Sequence, residues 1–463
     1  MKNKYLILLL LSLFPLFLTW TFDHSLWNPD ETRDAGIARE MYVGGDYVVP
    51  HLNGRAFLEK PPLYYWSCAA VYKLTGRITA GTTRLPAALY GFLAALLTFL
   101  IGARFFNERV GLMAAVMLGT GAQFFHMSHF ALMDTSLAAL ITAALFCYMN
   151  RYYFLFVAFS VLAFYTKGFV AFALIGVVAG GDLLIKKEFK TFIALVVGGG
   201  VAAAALIAPW AYELWKAGGA ANLRVFFIEN NFLRFFSGKA DHQEPFYYYL
   251  GSFLADFLPW TFVFLGALWS WWKNRGSQDT TPQKKFLWIW FAAMFLFLSL
   301  SRSKRSMYLL PAFPAAALLS ALWLDEFRQG RHVKTFFVAS IVWALVIAGA
   351  DALFVGRLDA DKSFLPVIDA VNQNGGREML IGYQFSEMEA GVFSFYLEGN
   401  IKSFEDTASL ATYLDTNKEK RVSLLTSGNK LAELGPVLQN RMEVIFKFRP
   451  DKKTRAYCLY STQ

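Results

Sequence analysis

Acids and bases stand in or beside apolar stretches at a limited set of positions: Asp30, Glu31, Arg33, Glu59, Lys60, His126, His129, Asp134, Lys167, His242, Arg302, Lys304 and Arg305. Charge next to hydrocarbon is expensive, so each of these is a candidate for function. The densest group is Asn28-Pro29-Asp30-Glu31-Thr32-Arg33-Asp34, where carboxylates suited to acid–base work flank a guanidinium suited to an anion. From Pro29 onward the pattern is helical. Acids in a first helical turn also suit the positive helix end, which is the purely structural reading of Asp30 and Glu31.

Further along, Leu58-Glu59-Lys60-Pro61-Pro62 carries another acid and base, and the two prolines stop a helix from running through Lys60. Its ammonium group either meets a phosphate or snorkels to the headgroup layer. Tyr64-Tyr65-Trp66 fits the aromatic belt of a membrane interface. Asp134 opens a long apolar run, as a helix cap or as a functional acid in need of a cation. Lys167, in Tyr165-Thr166-Lys167-Gly168, is either that partner or a phosphate contact. Asn230-Asn231-Phe232 and Asp241-His242-Gln243-Glu244-Pro245-Phe246 combine amides, acids and rings, which suits a sugar and equally an interfacial loop. Arg302, Lys304 and Arg305, just before Tyr308, would neutralise an anionic headgroup. Cys68, Cys147 and Cys458 are scattered and support neither a disulfide framework nor a zinc site. Gly198-Gly199-Gly200, inside an apolar run, reads as a set of helix-packing positions.

The elements that must carry these groups are membrane helices. Of 463 residues, 56% are hydrophobic and 17% charged, against about 25% charged in a soluble domain. Eleven apolar runs are candidate spans, at about 5–22, 86–105, 110–127, 131–149, 152–167, 169–185, 191–211, 248–272, 286–301, 307–324 and 334–353. No small-residue cleavage site precedes Asp23, so the first run reads as an uncleaved anchor. With its lysine-bearing start inside, alternation also puts Arg104/Arg109, Arg151, Lys186/Lys187/Lys190, Lys273/Arg275/Lys284/Lys285 and Arg328/Arg331/Lys334 inside. That is the positive-inside arrangement. The polar candidates then fall on the outer face with loops 23–85 and 212–247, which points to one polar cavity at the outer membrane boundary.

Residues 354–463 differ in character, with 14 basic and 14 acidic side chains. Runs with strand character at Met379–Tyr383, Val422–Thr426, Val444–Phe448 and Ala456–Tyr460 alternate with helical stretches near Phe364–Asn374, Glu387–Tyr396 and Thr407–Thr416. The expected fold is therefore a polytopic α-helical membrane domain, 1–353, followed by a small soluble α/β domain, 354–463, on the outer side. The net charge of +10 lies wholly in 1–353, where it follows the topology and implies no nucleic acid.

Pro29-Asp30-Glu31-Thr32-Arg33, Ile37-Ala38-Arg39-Glu40-Met41, Gly45-Asp46-Tyr47-Val48-Val49-Pro50, Leu52-Asn53-Gly54 and Glu59-Lys60-Pro61-Pro62-Leu63 closely resemble the first periplasmic loop of the ArnT-like lipid A aminoarabinose transferases. These are relatives of the dolichyl-phosphate-mannose protein mannosyltransferases. Thr166-Lys167-Gly168, Glu229-Asn230-Asn231-Phe232-Leu233-Arg234-Phe235 with His242, and Lys304-Arg305-Ser306-Met307-Tyr308 follow in family order. The resemblance implies a GT-C glycosyltransferase of the bacterial inner membrane, with about eleven spans. Such an enzyme moves a sugar from a polyprenyl-phosphate donor to lipid A or another envelope glycolipid at the outer face. It also implies roles. Asp30 is the principal catalytic carboxylate, with Asp134 as a second acid and Glu31 beside it. Arg33 and Lys60 meet the donor phosphate, with Lys167 and Lys304 as further cations. Glu59, Tyr64, His242 and Tyr308 are assigned to substrate. Phe57 stands where a Tyr is common in the family, and the chain is shorter than the aminoarabinose enzymes.

Asp30, Glu31 and Asp134 are hard ligands that could hold magnesium or manganese. Basic residues already supply positive charge, so a metal-free mechanism ranks higher. Protein Ser/Thr hydroxyls are the alternative acceptor. A lipid or sugar transporter ranks lower, because the sequence has no repeated half and its acids gather in an outer loop rather than at midplane. The joint presence of Asp30, Arg33, Lys60 and Asp134 argues against a silent scaffold.

Overall fold

The computed structural model describes residues 3–462 apart from positions 20, 23, 28, 234–242, 275–280, 328–332, 419–420, 428–429, 439–440 and 450–456. The chain falls into two compact units. One comprises Met1–Thr21, Leu58–Ser67 and Arg84–Gly349; the other comprises Phe22–Phe57, Cys68–Thr83 and Ala350–Gln463. The sequence reading kept loop 23–85 with the membrane domain, whereas contacts gather most of that loop with the C-terminal residues.

The first unit is helical. All eleven apolar runs lie on helices, and four helices among the described residues are long and apolar enough to cross a membrane by themselves: Ala80–Phe105, Phe189–Asn230, Pro282–Leu300 and Ser306–Glu326. Glu108–Thr120 and Ala122–Ser128 pass that test together but are bent by 68°. Asp134–Met149, Tyr153–Lys167, Phe169–Ile185 and Thr335–Ile347 are shorter apolar helices. The protein is a multi-pass membrane protein.

Burial sorts these helices. Glu108–Thr120 starts where the Asn107 side chain accepts the Val110 N–H, and every residue from Val110 to Thr120 is buried. A helix that is apolar all round belongs at the centre of a bundle. Phe189–Asn230 is the opposite case, since Ile193, Val196, Val197, Val201 and Leu206 all face outward, as lipid-facing side chains do. Small residues set the closest approach: a Cβ on Gly102 would lie 2.4 Å from Gly111 Cα. The expectation for Gly198-Gly199-Gly200 is corrected, because a Cβ on Gly198 or Gly200 would meet nothing within 4 Å and only Gly199 nears a neighbour, Val157. Gly168, at φ 70°, breaks the chain between Tyr153–Lys167 and Phe169–Ile185 and leaves Lys167 at a helix end.

The second unit combines the first-loop helix Pro29–Gly44 with a mixed sheet. A hairpin of β1 (His51–Leu52) and β2 (Arg55–Ala56) turns through Asn53 and Gly54, at φ 52° and 79°. This is the Asn-Gly pattern of a two-residue hairpin. β3 (Leu380–Tyr383), β4 (Lys402–Phe404), β5 (Ser423–Ser427), β6 (Met442–Phe448) and β7 (Tyr457–Thr462) form a sheet in the order β4-β3-β5-β7-β6. β3 is parallel to β4 and β5 (Ile381 opposite Lys402 and Leu424), while β7 is antiparallel to β5 and β6. Helices Glu387–Tyr396 and Thr407–Thr416 make the two crossovers. Leu365–Gln373 packs through Val367, Ile368 and Val371 onto one core with Leu425 and Leu459; Leu410, Leu414 and Leu434 pack onto a second with Leu424 and Tyr460. The α/β expectation agrees with this sheet. Sequence reading missed β4, a three-residue edge strand, and Leu431–Leu438, whose Gly435-Pro436 argues against a helix.

Candidate active site

In the second unit the polar groups centre on Arg33. Pro29 stands at the start of its helix, where a missing N–H costs nothing, and the Thr32 hydroxyl donates to the Pro29 carbonyl at 3.0 Å. One turn in, Arg33 Nη1 lies 3.0 Å from Asp30 Oδ1 and 3.3 Å from Glu387 Oε2, and its Nε lies 3.1 Å from Asp34 Oδ1. The guanidinium carbon is 5.6 Å from the Phe57 ring centre. The neighbouring acids differ in access. Asp34 and Glu31 are buried, while the Asp30 side chain is 20% exposed. Asp30 is therefore the carboxylate of this turn that is open to solvent, and Glu31 and Asp34 are not.

The first unit holds a separate cluster. Asp134 begins its helix, is 5% exposed, and pairs with Lys167 at 2.5 Å from Nζ to Oδ1. The same ammonium lies 4.4 Å from the centre of the Tyr308 ring. Lys167 is thus the cationic partner that Asp134 needs, and its charge is further stabilised by the aromatic face. Glu59 and Lys60 are partly exposed, and the preceding Leu58 carbonyl accepts the Asn230 amide at 3.1 Å. Tyr64 is fully buried, its ring edge-on to Tyr65. Lys304 is buried, and its ammonium donates to the carbonyls of Glu244, at 2.9 Å, and Ser301. Burial pushes its pKa below the ordinary lysine value, with Glu244 opposing. Lys304 clasps the turn that leads to Tyr308. His129 is tied at both ring nitrogens to the Phe125 and Leu16 carbonyls, at 2.7 and 3.2 Å, which is a packing role. Arg234, Asp241 and His242 lie outside the described residues. Of the three acids considered for a divalent ion, Asp30 and Glu31 belong to one unit and Asp134 to the other, and no three metal-ligating side chains converge among the described residues.

The family model for dolichyl-phosphate-mannose-protein mannosyltransferases matches residues 59–212, a stretch that includes Glu59, Lys60, Asp134 and Lys167 but not Asp30 or Arg33. The undecaprenyl phosphate-alpha-4-amino-4-deoxy-L-arabinose arabinosyl transferase of Pectobacterium atrosepticum is 33% identical over 339 residues, 70% of this chain and 59% of that protein. A second such transferase, from Proteus mirabilis, is 30% identical over 364 residues, 73% of this chain and 65% of that protein. Among solved structures, ArnT from Cupriavidus metallidurans bound to undecaprenyl phosphate superposes with a TM-score of 0.78 at 20% identity, covering 99% of this chain and 98% of that one. The chain belongs to the ArnT-like GT-C family. It spans about three fifths of the length of the curated relatives it matches. The GT-C fold extends more distantly to the archaeal oligosaccharyltransferase AglB of Archaeoglobus fulgidus, with a TM-score of 0.56 over 98% of this chain.

Against that family background, the groups that sequence reading missed lie on the C-terminal side of the Arg33 cluster. Glu387 was seen only as part of a helical stretch. Gly36 and Gly391 allow two helices to touch: a Cβ on Gly36 would fall 2.7 Å from Gly391 Cα, and one on Gly391 would fall 2.4 Å from the Thr32 carbonyl oxygen. Asn53 exchanges hydrogen bonds with the Ile401 backbone, at 2.9 Å to the carbonyl and 2.6 Å from the N–H. Glu40 accepts from Gly54 N and from the Asn400 amide at 2.9 and 3.2 Å. The small residues Ala35, Gly36 and Ala38 and the Asn-Gly pair were available signals, one for close helix packing and one for a hairpin. Their partners, more than 300 residues away, were not.

Proposed function

We propose that this protein is a glycosyltransferase that takes a sugar from a polyprenyl-phosphate donor and transfers it to a glycolipid of the cell envelope, lipid A or a similar molecule, at the outer face of the membrane. The likeness to two undecaprenyl phosphate-aminoarabinose transferases, over about 70% of the chain, carries this reading. In the reaction, an acceptor oxygen attacks the anomeric carbon while the bond from that carbon to the phosphate oxygen breaks, with inversion. The electron pair stays on the phosphate, which changes from a diester to a more highly charged monoester. Asp30 takes the proton of an acceptor hydroxyl, or orients an acceptor that is already ionised. Arg33 and Lys60 neutralise the departing phosphate. Lys167, held by Asp134 and Tyr308, supplies a fixed positive charge, and Lys304 holds the turn before Tyr308. Glu31, being buried, acts on the helix that carries Asp30 rather than on substrate.

Purified protein in detergent, given radiolabelled polyprenyl-phosphate sugar and acceptor, should transfer the label with no sealed compartment, which a transporter would not do. Asp30→Asn should abolish transfer while expression and membrane insertion persist; normal turnover in that variant would remove Asp30 from the mechanism. The family-model match to protein mannosyltransferases favours a second acceptor, protein Ser or Thr. Mass spectrometry of lipid A and of envelope proteins from a deletion strain separates the two: the absent modification names the acceptor.

A further inference from the structure

The contacts to Arg33 set three carboxylates against one guanidinium, and the three are not equivalent. Asp34 holds Nε from within the same helix and is 1% exposed; Asp30, 20% exposed, shares Nη1 with Glu387. Glu387 comes from the C-terminal part of the chain, is 51% exposed, and has the longest of the three contacts, 3.3 Å. It is also the first residue of the helix Glu387–Tyr396, whose N-terminus is closed by a capping box between Ser386 and Glu389. The positive end of that helix favours the Glu387 carboxylate even when Arg33 is otherwise engaged.

We infer that Glu387 is an exchangeable anion at Arg33: the donor phosphate takes its place on Nη1 during binding, and Glu387 takes that place back to expel the polyprenyl phosphate left after transfer. The inference rests on the proposed role of Arg33 at the donor phosphate. The chemistry gives the exchange a direction. Transfer turns a phosphate diester with one negative charge into a monoester carrying about 1.5 to 2 near neutral pH, so a guanidinium suited to the donor would hold the product more tightly still. A resident carboxylate competes with both. Of the three acids, Glu387 is the one already in water, so its displacement exposes little that was buried, whereas moving Asp34 would bare a buried charge. Glu387 acts through Arg33 and is a positioning residue: it sets how tightly the phosphate is held, not the bond changes.

The test measures binding of undecaprenyl phosphate to purified protein in detergent, with Glu387→Gln, Glu387→Ala, Glu387→Asp and Arg33→Ala beside the wild type. Both uncharged variants should bind about two- to fivefold more tightly at low salt, the scale expected of a half-exposed ion pair, and the gap should narrow as salt rises. Glu387→Asp should stay near wild type. In turnover, donor KM and kcat should both fall in Glu387→Gln, because product release slows. Lost packing weakens binding, so a tighter complex is a result that structural damage would not give. Unchanged or weaker binding by both uncharged variants, with Arg33→Ala defective, overturns the exchange alone. Wild-type binding by Arg33→Ala overturns the phosphate role of Arg33 itself.

Discussion

Asp134 and Lys167 form a buried ion pair near hydrocarbon, structural by its burial and, on the proposed mechanism, functional as well. The two side chains are 6% and 14% exposed, so neither can lose the other cheaply. Asp134→Asn should leave an uncompensated ammonium and cost about 3–5 kcal/mol, read as a drop in the thermal midpoint of the detergent-solubilised protein. Asp134→Leu combined with Lys167→Met replaces the pair with apolar groups and should recover most of that loss. Transfer should remain absent in the double variant; recovery of transfer along with stability would reduce the pair to packing. Lys304 offers a second reading in pH. Its pKa is depressed by burial, so the unfolded chain holds the proton to higher pH than the folded one. Stability gained from this group therefore rises with pH through the window below the ordinary lysine value of about 10.4, and is flat below that window. The difference in thermal midpoint between wild type and Lys304→Met should shift in favour of wild type as pH increases through that range; a constant difference would count against a depressed pKa.

At the scale of elements, the crossing of Pro29–Gly44 with Glu387–Tyr396 fixes the turn that carries Asp30 and Arg33. Gly391→Ala would push a methyl group to 2.4 Å from the Thr32 carbonyl, so the helices must separate. Overpacking of this kind costs about 1–3 kcal/mol. Transfer should fall along with stability, and Gly44→Ala, where a Cβ meets nothing within 4 Å, serves as the control; equal effects at both positions would dissociate the crossing from activity. Elements also explain what the sequence made legible. Apolar runs reveal helices because lipid demands them at every position, and the alternation in 379–460 reveals a sheet because its inner strands β3, β5 and β7 are buried almost throughout. The acids and bases near hydrocarbon were visible for the same reason. Access within a single helical turn was not: Asp30 and Glu31 read alike in sequence, yet the fold leaves the Asp30 side chain 20% exposed and Glu31 buried.

For the whole molecule, the basic excess of residues 1–353 and the neutral remainder predict which side of the membrane each part occupies. A reporter enzyme active only outside the cytoplasm, fused after Gln463, should be active, and one placed in 275–280 should not; the reverse pattern would invert the proposed orientation. Asn53 meets Ile401 across 348 residues, so the first loop leaves the ribosome long before its partner exists. At ~5–20 residues per second the interval is roughly 20–70 s. Through that time the turn with Asp30 and Arg33 lacks the helix Glu387–Tyr396 that packs on it, so the nascent membrane helices should be inserted before this cluster is complete. A chain cut short by a premature stop before Glu387 would then occupy the membrane with the Arg33 cluster incomplete and, on the proposed mechanism, without consuming a lipid-linked sugar.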